Sequence, residues 1–223
     1  MSVCATEPMT DAAWDQARVA NAQGTMEMED AQTWGTIESD DWWFELDDET
    51  QKAFSLYKSG NYGVINDALR GGTKMTDEAA SSIARMDAAL DTASLSEDVV
   101  AVRHIDKYAF NDMFGTTKAD YEFGGFWKED PRRFVGATFG DDAYTSTSMS
   151  SDFTWGDIPM EVRVPRGYQA AYLDPAMFNG SSLLGSHECE LLLKRGTRFR
   201  IVGMDTELDQ GAHEITKLIL EVI

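Results

Sequence analysis

"ECELLLKRGTRFRIVG", residues 188–203, decides the fold class. Two glutamates one residue apart stand just before a long apolar, β-forming run with a glycine break, a pattern of strand rather than helix. On a strand, Glu188 and Glu190 point to the same face with side chains roughly 7 Å apart, and Cys189 points to the other. That separation falls between the roughly 5 Å of retaining glycosidases and the roughly 6.5–9.5 Å of inverting ones. Spacing alone therefore selects no chemistry, and two solvated glutamates at a strand start would read the same way.

Outward from this stretch the second half of the chain keeps the same period. "DVVAVRHI", "EVRVP", "AAYL" and "HEITKLILEVI" are further β-rich runs divided by Gly, Pro and Asp. In "MEVRVP" the residues Met160, Val162 and Val164 face one way, Glu161 and Arg163 the other; Leu218, Leu220 and Val222 share a face in the last run. The first half has helical spacing instead. Asp47 is an N-cap candidate, Phe54 and Tyr57 follow at helical intervals, and "KSGNY" breaks the run. Val64, Ile65, Ala68 and Leu69 form a second helix ended by Gly71-Gly72. Ile83, Met86 and Leu90 mark one face of a third. Helices first and strands afterwards predict an α+β fold with mainly antiparallel pairing.

Composition narrows the function classes. With 223 residues, 43% hydrophobic, the chain has enough apolar material for a sizeable core. Its formal charge is −20, and the first 50 residues carry 13 Asp/Glu against one Arg. A nucleic-acid partner is excluded by the missing basic footprint. No apolar run reaches the roughly 18 residues of a membrane span, and no signal peptide is visible at the start. Two isolated cysteines and three scattered histidines offer neither a disulfide framework nor a metal-ligand spacing, so no metal is expected. Residues 1–30 read as an acidic extension, and residues 31–223 as the working domain.

Three features then fall in a fixed order: Arg103 near the end of the apolar strand "VVAVRHI", the hydroxyl cluster Ser146-Thr147-Ser148 in "YTSTSMSSDF", and Glu188-Cys189-Glu190. Arginine, Ser-Thr-Ser and Glu-x-Glu in this order resemble the Arg–Ser–Glu class of mono-ADP-ribosyltransferases. "DDWWFELDDETQKAFSLYKSGNYGVINDALRGG", "SSIARMDAALDTASLSEDVVAVRHI" and "EVRVPRGYQAAYLDP" are similar to the catalytic domain of the iota-type binary toxins. The resemblance spans roughly residues 31–223. It implies two roughly perpendicular β-sheets with flanking helices around an NAD cleft.

The resemblance implies roles as well. Glu190 would face the cation that develops at the ribose when the nicotinamide bond of NAD breaks. Glu188 would orient or deprotonate the acceptor; glutamate here goes with arginine acceptors in the family. Ser146 would support Glu190, and Arg103 would bind the pyrophosphate, a task suited to guanidinium geometry. Thr147, Ser148, Asn66 and Tyr57 are further NAD contacts, with Tyr57 equally readable as core. Phe153 would cover the nicotinamide, with Trp155 as the alternative. A second phosphate-binding arginine has no match, and His104 reads as an edge histidine or a weak substitute.

The expected activity is transfer of ADP-ribose from NAD to an arginine of a target protein, with actin the target the resemblance implies. The enzyme would be a secreted or injected effector, or a phage-encoded enzyme, or act in a host cytoplasm. NAD glycohydrolysis and an inactive binding module are the alternatives. The intact Arg103, Ser146 and Glu190 set speaks against the inactive module.

Overall fold

A computed structural model describes residues 26–105, 135–150, 158–173, 188–208 and 214–223. The helical first half has α1 (Met28–Glu45), α2 (Asp48–Leu56), a π-helical turn (Tyr57–Asn61), α3 (Tyr62–Leu69) and α4 (Asp77–Leu90). Asp47 caps α2 by accepting from the Thr50 amide at 2.7 Å, and Thr76 caps α4 by accepting from Ala79 at 3.1 Å. Ile83, Met86 and Leu90 are buried along α4, as their spacing predicts.

Eight strands follow: β1 (Val99–Ile105), β2 (Thr138–Gly140), β3 (Thr145–Ser148), β4 (Ile158–Val164), β5 (Ala170–Leu173), β6 (Glu190–Leu193), β7 (Arg198–Leu208) and β8 (Glu214–Val222). They form one hydrogen-bonded order, β2-β7-β8-β4-β1-β3-β6-β5. Pairing is antiparallel throughout except between β4 and β8, which run parallel. The two expected sheets are thus two blades of one ladder. Between β1 and β3 the ladder narrows to a single pair, Val102 with Ser148.

The opening stretch divides at Gly196 into β6 and β7. All four residues of β6 are buried, because that blade is covered on both faces. Leu191 and Leu193 join a core that takes in β1, β4, β7 and β8, while Leu192 faces a second core with Phe54, Tyr57, Ile83 and Met86 from the helices. Helix α1 reaches β5 through the i, i+4 row Ala31, Gly35, Ser39 and Trp43, all buried. A Cβ on Gly35 would stand 2.2 Å from the Tyr172 ring, so only glycine permits this approach. Ser39 Oγ accepts from the Tyr172 amide at 3.0 Å and closes the contact.

Candidate active site

The narrowing between β1 and β3 opens into a cavity of about 520 Å³. Val102, Arg103 and His104 line it from β1 and Ser146, Thr147 and Ser148 from β3. Glu188 and Glu190 border it, and the π-helical turn and α3 complete the wall with Tyr57, Lys58, Tyr62 and Asn66. Phe153 and Trp155 lie outside the described residues.

The two glutamates meet by a different route from a plain strand. β6 begins at Glu190, and Cys189 before it has φ 44°, a left-handed conformation uncommon for a residue with a Cβ. The twist turns Glu188 toward the cavity although it stands outside the strand, and Cys189 itself is buried. Both carboxylates bond one ammonium: Lys58 Nζ donates to Glu190 Oε2 at 2.7 Å and to Glu188 Oε2 at 3.2 Å. Lys58 and Glu190 have side chains only 3% and 6% exposed, against 42% for Glu188. Burial works against the charge of Lys58, but Glu190 and then Glu188 outweigh it and hold its pKa above the ordinary lysine value.

Lys58 escapes sequence reasoning because a lysine in a helical run normally reads as solvent-facing. Its position comes from the π-helical turn. Ser59 and Gly60 leave helical geometry there, Gly60 with φ 108°, and the bulge carries the preceding Tyr57-Lys58 pair inward.

The hydroxyl cluster divides its work. Ser148 stands opposite Glu190 in the ladder, and its hydroxyl donates to the Glu188 carbonyl at 2.7 Å; Thr147 donates to the Leu191 carbonyl at 2.7 Å. These two bonds staple β3 to the carboxylate-bearing segment. Ser146 stands opposite Leu192 with its side chain exposed, and its carbonyl accepts from Arg103 Nη1 at 3.4 Å.

Arg103 has no carboxylate within ion-pair distance among the described residues. Burial, joined by the charge of Arg70, lowers its pKa, while Asp141 and Tyr57 oppose the shift. A half-buried cation of this kind, lining a cavity, favours an anionic ligand. Arg70 also lines the cavity, but its guanidinium is engaged in a fork with both oxygens of Asp141, at 2.8 and 2.5 Å. It is a cavity arginine that the sequence reading does not single out.

Tyr57 proves to be both core and wall. It is buried, packs edge-on against Tyr144 and Tyr62, and its phenol oxygen accepts from Asn66 Nδ2 at 3.0 Å. Among the described residues the buried Asn66 Oδ1 has no hydrogen-bond partner, an acceptor left for a ligand. Cation, amide, hydroxyls and paired carboxylates around one cavity fit a dinucleotide with a pyrophosphate and ribose hydroxyls.

Residues 31–223 match the family model for the ADP-ribosyltransferase exoenzymes. The chain belongs to that family. NAD is the co-substrate this membership carries, and among the described residues no group of three metal-ligating side chains is found.

The exoenzyme fold is shared with solved toxins. Plx2a, an ADP-ribosyltransferase toxin from Paenibacillus larvae, superposes with a TM-score of 0.71 at 24% identity, over 88% of this chain and 96% of that one. C3larvin, from the same organism, gives 0.68 at 25% identity over 85% and 94%. The ADP-ribosylating toxin BECa of C. perfringens, solved with NADH, gives 0.71 at 21% identity; the match covers 87% of this chain but 48% of that one. No curated protein matches the chain.

Proposed function

We propose that this exoenzyme transfers ADP-ribose from NAD to an arginine side chain of a target protein. The observation that carries the reading is the pair of carboxylates, one buried and one half exposed, at the end of a cavity that also holds Arg103. Arg103 binds the pyrophosphate, and the amide of Asn66 and the hydroxyls of Ser146, Thr147 and Ser148 line the path of the dinucleotide. Tyr57 forms the floor. Phe153 is assigned the nicotinamide-covering role on resemblance alone.

The bond between ribose C1′ and the nicotinamide nitrogen breaks with its electron pair leaving on nicotinamide, which departs neutral. Positive charge develops on the ribose. Glu190 faces it as a carboxylate already held in place, an interaction worth about 3 kcal/mol in such sites. The acceptor guanidinium is a poor nucleophile while charged, so Glu188, which solvent and acceptor can reach, takes its proton as the new C1′–N bond forms. Ser146 is assigned the support of Glu190, and Ser148 holds the segment that carries both carboxylates.

Actin is the target that the resemblance to iota-type toxins favours, and membership of an exoenzyme family supports action outside the producing cell or inside a host. Incubation with labelled NAD and a small guanidino acceptor tests the chemistry, and a host lysate then finds the target. Labelled acceptor is the expected product. Nicotinamide release with no labelled acceptor or protein would replace this reading with NAD hydrolysis.

A further inference from the structure

Lys58 places a full positive charge where the reaction itself creates one. A buried ammonium is costly unless compensated, and here it is compensated by the two groups assigned to catalysis. The reaction asks for both carboxylates at fixed positions, Glu190 at the ribose and Glu188 at the acceptor, and one ammonium bonded to both holds them relative to each other.

We propose that Lys58 is a positioning residue for transfer: its single ammonium bridges Glu188 and Glu190, fixes the two carboxylates relative to each other, and leaves Oε1 of each for substrate. The bridging bonds both use Oε2. One ammonium against two carboxylates leaves a net negative charge facing the ribose, so the bridge does not cancel the electrostatic role of Glu190. The proposal rests on the reading that both carboxylates act in the reaction.

Other charged and titratable groups share the cavity: Tyr57 from the same turn, Asp67 and Arg70 from α3, and Arg103 and His104 from β1. Arg70 is engaged by Asp141, and Arg103 bonds the Ser146 carbonyl. Lys58 is therefore the cation on the two carboxylates among the described residues.

The test is the kinetics of nicotinamide release and of transfer to a guanidino acceptor, in the full chain, for wild type, Lys58→Met, Lys58→Arg and Glu190→Gln, with kcat and KM for NAD resolved. Circular dichroism checks folding. In Lys58→Met kcat for transfer falls by about tenfold or more while KM for NAD stays within about twofold, because the carboxylates lose their common tether and Arg103 still meets the pyrophosphate. Lys58→Arg, which can still donate to both carboxylates, recovers most of the loss. A merely structural lysine would alter folding and KM for NAD along with kcat and would not be rescued by arginine.

Should Lys58→Met not fold, Lys58→Gln keeps a hydrogen-bond donor without the charge and carries the same comparison. An unchanged kcat in the variant without the ammonium, with Glu190→Gln inactive, overturns the role of Lys58 alone. Transfer retained in Glu190→Gln overturns the assignment of Glu190 and the proposal with it.

Discussion

Glu188 and Glu190 share one ammonium yet differ sharply in burial, and their variants separate accordingly. Glu190→Gln keeps shape and removes the charge at the ribose; transfer and NAD hydrolysis both fall by about 10²–10³-fold. Glu188→Gln acts on the acceptor, so transfer falls by a much larger factor than hydrolysis. Equal losses would show the pair acting as one unit. Stability follows burial as well: Glu190→Gln leaves Lys58 with one carboxylate and costs up to about 3 kcal/mol, more than Glu188→Gln. Melting curves read this difference. The glutamates, Arg103 and the hydroxyl cluster were picked out only as an ordered set that resembles the family's, since each alone reads as an ordinary strand residue. Lys58 was not, since only the fold shows that its charge points inward.

Two local distortions do much of the positioning at the scale of elements. The bulged π-helical turn delivers Tyr57 and Lys58 to the cavity, and the left-handed Cys189 turns Glu188 beside Glu190. The docking of α1 on β5 depends on the absence of a side chain at Gly35. Gly35→Ala would force the Tyr172 ring away from α1 and disturb the Trp34–Tyr172 edge contact at 6.1 Å. Overpacking of this kind costs about 1–3 kcal/mol, outweighing the gain in helix propensity that alanine brings elsewhere. Chemical denaturation should show the loss. A Gly35→Ala protein as stable as wild type would mean that Tyr172 has room to move. Helix caps, alternating strands and the break at "KSGNY" could be read in advance; that Lys58 faces inward at this break, and that Cys189 turns left-handed, could not, because each is held by contacts made far along the chain.

At the scale of the whole molecule, three buried groups among the described residues bind their protons more tightly when folded. Burial first, and then the charge of Glu190, push the Tyr57 phenol up; burial and then the bond to Asp87 push up Tyr144. Lys58 is raised too, its burial outweighed by the glutamates. A raised folded value means that the stability these groups carry is complete below their ordinary values, 10.0 for the phenols and 10.5 for the lysine. It is lost as pH climbs through the folded values. The melting temperature should therefore stay level up to about pH 10 and fall beyond it, with phenolate absorbance rising in a late phase that coincides with unfolding. Tyr57→Phe should soften the fall. Absorbance that rises in one early phase for all tyrosines would contradict the buried environments.

Sequence alone determined the class: periodicity sets which faces are apolar, and apolar faces must be buried, so helices before strands meant α+β. It also pointed to the family, because an arginine, a hydroxyl cluster and paired glutamates in this order resemble the family's pattern, and the family model matches residues 31–223. Tertiary structure decided the rest. The two sheets became blades of one ladder because β1 and β3 share a single pair, Val102 with Ser148. Ser148 came to stand opposite Glu190, with Ser146 beside Leu192, through strand register, which depends on partners 40 and more residues away. And the bridge from Lys58 to Glu188 and Glu190 crosses 130 and 132 residues of chain. Periodicity carries no information over such distances, because a buried charge is placed by the partners that compensate it and not by its neighbours in sequence.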